Sequence, residues 1–223
     1  MIRTVLVSVL VMLPGTAGAS EHVQVTSPRG VLAAEYRDAG AGAPGVLLLP
    51  MCRADAGDGW APVADRLLAA RVSSLSVVSR GGDNATVEDA EASFAYLRSR
   101  VGATARVGVA GSSCGVSLAL ETALRHPGGI RAIVAFTGPH SESQLELVRR
   151  TPALAVLSGA SAGDTPAPDW ARELKDASAH PASRLLIADG REHGTDAFRA
   201  SPALPATVAD WFVSELRGGE AAR

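Results

Sequence analysis

The chain reads as an α/β protein built on a mostly parallel sheet, and two patterns say so. Short apolar runs recur along it, at Val46 to Leu49, Leu75 to Val78, Val107 to Ala110, Ile130 to Phe136, Leu154 to Leu157 and Leu185 to Ala188. Most are near-continuous rather than alternating, which suits strands covered on both faces. Longer stretches with apolar residues at helical spacing lie between them. Strand then helix, repeated, gives parallel strands joined by right-handed crossovers.

Composition fits one ordinary domain. The chain has 223 residues, 47% hydrophobic and 20% charged, with a net charge of −2. A chain of that length buries roughly 70% of its unfolded surface and needs no staples. A charge near zero argues against a nucleic-acid partner, which would call for a basic stripe along the phosphates. Lys175 is the sole lysine, so lysine chemistry elsewhere is excluded. Two cysteines, Cys52 and Cys114, cannot make a disulfide-rich scaffold.

The elements follow in order. Arg3, the apolar run Val5 to Leu13, the break at Pro14-Gly15 and the small-x-small Ala17-Gly18-Ala19 form an export signal over residues 1–19, with cleavage expected near Ala19. Its apolar run is shorter than the roughly 20 residues of a membrane span, and no later stretch is apolar enough, so no stable span is expected. The remaining 20–223 form the domain, exported to a periplasm or to the outside. His22 to Arg37, turning at Pro28-Arg29-Gly30, reads as an antiparallel hairpin on the sheet edge. Trp60, Val63 and Leu67 mark a helix. Thr86 with Asp89 forms a capping box that opens a second, carrying Val87, Ala90, Phe94 and Leu97. A third begins around Cys114 and runs through Leu118, Thr122 and Arg125. One helix takes most of 137–151, and Val208, Trp211, Phe212 and Leu216 mark a terminal amphipathic helix.

The sharpest signal is Gly111-Ser112-Ser113-Cys114-Gly115, entered from the apolar run Val107 to Ala110 and leading into a helix. Gly-x-Ser-x-Gly between strand and helix is the setting of a nucleophile elbow, whose tight turn lifts the central hydroxyl above the sheet. The competing reading is a phosphate-binding turn. The glycine spacing does not match the dinucleotide fingerprint, and no P-loop lysine follows. A serine hydroxyl needs a base, and imidazole is the usual one near neutral pH. Among the five histidines, His22 sits near the start, His126 reads as a helix end and His180 precedes Pro181 in a loop. His140 could face the site; His193 follows the last strand, where the order serine, acid, histidine places the base. The acid belongs between Ser113 and His193, after Leu154 to Leu157. Asp164 is the first choice and Asp169 the second; Asp164 also reads as a turn or cap residue near Pro166. The loop after Val46 to Leu49 is Pro50-Met51-Cys52-Arg53-Ala54-Asp55. A backbone N–H of Met51 or Cys52, with that of Cys114, would form an oxyanion hole, since Pro50 has no N–H to give.

At these motifs the chain resembles the α/β-hydrolase superfamily, and within it the small dienelactone-hydrolase-like and carboxylesterase-like enzymes. The resemblance rests on Gly111 to Gly115, Leu49 to Arg53, Ser79-Arg80-Gly81-Gly82 and Glu192-His193-Gly194. Three departures from it stand in the sequence. Pro50 and Met51 stand where histidine and glycine are common, Ser113 where dienelactone hydrolases proper have cysteine, and Ala162 three residues beyond the strand-end Gly159, where the acid usually lies. The resemblance implies an eight-stranded, mostly parallel sheet flanked by helices; the short stretch between Phe136 and Pro152, mostly taken by one helix, leaves no room for a cap domain, so an open site is expected. The resemblance also implies hydrolysis of a small-molecule carboxylic ester or lactone through an acyl-enzyme at Ser113, with no cofactor and no metal. An acyltransferase or thioesterase, or a catalytically inactive binding protein, are the alternatives on the same scaffold. Cys52 and Cys114 flank the same expected hole. They form a disulfide, favoured by an oxidising compartment, or two small buried hydrophobes, or supply a redox-sensitive or nucleophilic thiol.

Overall fold

A computed structural model describes residues 18–52, 58–78 and 85–218. The export signal lies outside the described residues save for Gly18 and Ala19, as do Arg53, Ala54, Asp55 and the Ser79 to Gly82 segment.

Eight strands form one sheet. Strands β1 (Ala19–Ser27) and β2 (Gly30–Asp38) make the edge hairpin around Pro28-Arg29. β2 pairs antiparallel with β4 (Ser73–Val77). The rest run parallel: β3 (Gly45–Leu49), β5 (Val107–Ser112), β6 (Ala132–Phe136), β7 (Ala155–Ser161) and β8 (Arg184–Ala188). Their spatial order is β1-β2-β4-β3-β5-β6-β7-β8.

The helices are α1 (Ala61–Ala69), α2 (Val87–Val101), α3 (Cys114–Arg125), α4 (Glu142–Arg150), α5 (Ala167–Ala177), the short α6 (Ala197–Ala200) and α7 (Ala203–Arg217). The near-continuous apolar runs have their expected cause. In β3, Leu47 and Leu49 join a core with Phe94, Leu97, Val116 and Val148 from α2, α3 and α4. Val46 and Leu48 point the other way, into a core with Val63, Leu67, Val208 and Phe212 from α1 and α7. A strand with a core on each face has no solvent side on which to place polar residues. The capping box is present: Thr86 Oγ1 accepts from the Asp89 amide, and Asp89 from that of Thr86.

Three elements differ from the sequence reading, and each difference has a cause. β4 begins at Ser73 rather than Leu75, because Ser73, Ser74 and Ser76 are buried sheet residues that break the apolar run. β7 continues past Leu157 through Ser158-Gly159-Ala160-Ser161. Only small side chains fit there, since a Cβ on Gly159 would lie 2.8 Å from the Phe136 ring. Helix α5 was not anticipated; it buries just Ala167, Pro168, Ala171 and Leu174, a weak periodic signal. Between β6 and β7 stands only α4, so no cap is inserted there.

Arg37, 4% exposed on β2, ties the hairpin to the α1 region. Its guanidinium donates to Asp65 at 2.9 Å and lies 3.5 Å from Asp58 and 3.4 Å from Glu35. Burial pushes the Asp58 carboxyl above the usual carboxylate range, against the pull of Arg37. Arg37→Met leaves these carboxylates without their cation. The expected loss in urea denaturation is about 3 kcal/mol, at the low end for a broken buried pair because Asp65 is exposed. The deficit shrinks on acidification. Without the guanidinium, Asp58 rises further above its unfolded pKa. The variant therefore loses stability as pH climbs through that raised value and regains it below.

Candidate active site

All site loops leave the carboxyl ends of parallel strands, where open α/β sheets bind ligands. β5 ends at Ser112 and α3 begins at Cys114, so a single residue makes the turn. That residue, Ser113, has φ 56° and ψ −122°, a conformation a non-glycine residue holds only under surrounding constraint. Two glycines permit the turn. A Cβ on Gly111 would lie 1.9 Å from the Gly115 carbonyl oxygen, and one on Gly115 would lie 2.6 Å from that of Pro50. Strand, helix and the β3 loop therefore meet backbone to backbone.

Ser113 Oγ lies 2.8 Å from His193 Nε2, and His193 Nδ1 lies 2.8 Å from Asp164 Oδ2. With Asp164 ionised, Nδ1–H donates to it, leaving Nε2 to accept the Ser113 proton. The imidazole is about half exposed and the carboxylate 18% exposed. Backbone ties hold both loops in place. The Ala162 amide donates to Ala188 O and that of Gly163 to Gly190 O, each at 2.8 Å. Ser161 Oγ donates to Glu192 O at 2.7 Å, fixing the residue before His193. Sequence reasoning missed Ser161, because its position at the end of β7 depended on where that strand stops. The same boundary accounts for the place of Asp164. Counted from Ser161, Asp164 is the third residue beyond the strand, whereas counting from Gly159 reached Ala162.

The other candidates stand elsewhere. Asp169 pairs with Arg172 at 2.8 Å on α5. His140 is buried against the Trp170 carbonyl at 3.1 Å, with Glu173 at 3.5 Å. His126 meets Glu91 at 2.9 Å and packs on Phe94. His180 accepts from the Ala182 amide, and His22 pairs with Glu35 in the β1–β2 register. Among the described residues, no group of three or more His, Cys, Asp and Glu could hold a metal ion, and no helix is long and apolar enough to cross a membrane.

The oxyanion candidates also converge. Ser113's own amide donates to Phe136 O at 3.1 Å. Cys114 opens α3, so its N–H has no carbonyl four residues back to serve. Opposite it, Met51 is buried and Cys52 half-buried. The fully buried Trp60 donates its indole N–H to Leu49 O at 2.8 Å, fixing the end of β3 from which that loop departs. Cys52 and Cys114 are joined by a disulfide with Cα atoms 5.8 Å apart. The alternative of two inert thiols is therefore not what the structure contains.

No protein-family model and no curated protein matches this chain. Solved structures do. Esterase Pf2001 from Pyrococcus furiosus is 16% identical with a TM-score of 0.68, over 89% of this chain and 91% of that one. A dienelactone hydrolase from Anabaena variabilis is 17% identical with a TM-score of 0.67, over 90% and 100%. A CIB-like hydrolase from Thermoplasma acidophilum is 13% identical with a TM-score of 0.70, over 88% and 99%. At these identities the likeness is one of fold.

Proposed function

We propose that this chain, which has the α/β-hydrolase fold, is a serine hydrolase of small carboxylic esters or lactones. The observation that carries the reading is the unbroken hydrogen-bonded line from Ser113 through His193 to Asp164. Fold alone would not support it, since one fold serves many chemistries.

In this reading His193 Nε2 takes the Ser113 proton as Oγ attacks the acyl carbon. The oxyanion is held by the amides of Cys114 and of Met51 or Cys52. Collapse breaks the ester bond, and the imidazolium hands its proton to the leaving alkoxide. Water, deprotonated by His193, then releases the acid from Ser113. Asp164 keeps the imidazole in the tautomer that presents Nε2 to the hydroxyl. No step calls for a cofactor or a metal. Export belongs to the same proposal, supported by the composition of residues 1–19 and by a disulfide that an oxidising compartment favours.

With no cap between β6 and β7, the acyl group rests on an open surface. Among nitrophenyl esters from acetate to decanoate, kcat/KM is expected to be highest for the acetyl and butyryl members and to fall with longer chains. No hydrolysis above background across the series would sink the reading in favour of an inactive binding protein. Fast transfer to added alcohols with little hydrolysis would favour an acyltransferase.

A further inference from the structure

The disulfide joins Cys114, whose amide opens α3, to Cys52, one of the two candidate oxyanion donors on the β3 loop. Cys114 directly follows Ser113 and opens α3; Cys52 lies in the loop that leaves β3 at Leu49. The β3–β5 ladder ends at Leu49 opposite Gly111, and the Trp60 bond acts on Leu49. Beyond those points the Pro50 carbonyl lies against Gly115, and the covalent link to Cys114 is what ties Cys52 itself to the nucleophile turn. Neither cysteine belongs to the two main hydrophobic cores, which assemble from the strands and helices around them. Holding the fold together and holding the oxyanion donors together are therefore separable tasks.

We propose that the Cys52–Cys114 disulfide is a positioning device for the oxyanion hole, so that the protein is fully active only with the bridge closed. This rests on the hydrolase reading above. A dithiol opens the bridge in two balanced steps. Its thiolate attacks Cys52 Sγ and forms a mixed disulfide, and the electron pair of the broken S–S bond goes to Cys114 Sγ. The second thiol then closes the reductant into a cyclic disulfide and releases Cys52, so two electrons pass from dithiol to protein. Cys114 is the better leaving group because its sulfur sits at the N-terminus of α3, a helix of 12 residues that stabilises a thiolate. Opening acts on catalysis twice. It frees the Cys52 loop to drift from the Cys114 amide, and it puts a negative charge beside the place where the oxyanion forms.

The test uses the full oxidised chain and nitrophenyl acetate at a temperature well below its Tm. Thiol counting is expected to find no free thiols before dithiothreitol and two after. Reduction is expected to lower kcat by about 10- to 100-fold, approaching the loss of one oxyanion donor, while KM changes less than about twofold. The Ki of a boronic acid, which forms a tetrahedral adduct, rises by the same factor as kcat falls, and reoxidation restores both. The Cys52→Ser/Cys114→Ser double variant starts at lowered activity and ignores reductant. The proposal is overturned if the reduced, still folded protein keeps kcat within about twofold, even when its Tm drops. It is also overturned if the reduced protein and the double variant both unfold at the assay temperature, since the bridge is then a structural brace. An oxidised protein that hydrolyses nothing and resists fluorophosphonates brings down the hydrolase reading as well. Harmless reduction of an active protein removes this proposal alone.

Discussion

Ser113→Ala is expected to abolish turnover while leaving the fold intact. Loss of the nucleophile from a triad lowers kcat by about 10⁴-fold or more, roughly 6 kcal/mol in the barrier. The fold survives because the hydroxyl makes no cap bond to α3, and its partner among the described residues, His193, remains open to water. Ser112→Ala is the control that reads the register of the elbow. The Ser112 hydroxyl is fully buried in β5 without a hydrogen-bond partner among the described residues, so its removal strands none of their groups. Activity within about twofold of the parent is expected. Steady-state kinetics beside circular dichroism checks both variants. Substantial activity in folded Ser113→Ala, or its loss in Ser112→Ala, contradicts the assignment.

Asp164→Asn is expected to lower kcat by about 10³- to 10⁴-fold with little change in KM. An asparagine at this position can donate its amide to Nδ1. That bond favours the tautomer with the proton on Nε2, where it faces the Ser113 oxygen and can no longer accept. The geometry survives while the chemistry fails. Asp169→Asn breaks only an exposed pair with Arg172 on α5 and is expected to leave kcat unchanged. The opposite outcome for the pair would move the acid to Asp169.

The fold was legible wherever a strand had a core on each face. β3 and β6 are nearly continuous apolar runs, β5 opens on one before its Gly-Ser end, and α2 announces itself by its capping box. Legibility failed where packing is too tight for large side chains. Ser73, Ser74 and Ser76 in β4, and Ser158 to Ser161 in β7, are as buried as any leucine yet read as polar or small. Helix α5 escaped for a related reason, resting on the sheet through alanines rather than a leucine stripe. These misses bear on the site. Ending β7 too early left Asp164 seemingly displaced, although it needed no displacement once the strand reached Ser161. Ser113 and His193 were legible because chain order and local motif both mark them. Ser161 and Trp60 were not, since each acts through one bond to a distant carbonyl that no local pattern announces.

The central claim is that Ser113 is a nucleophile activated by His193. The most direct test is covalent: the oxidised chain is incubated with a fluorophosphonate and mapped by peptide mass spectrometry. One phosphonyl group per chain is expected, on the oxygen of Ser113, with labelling lost in Ser113→Ala and strongly slowed in a His193→Ala variant. An unlabelled protein, a label on Ser112 or another serine, or a rate indifferent to His193 would contradict the account.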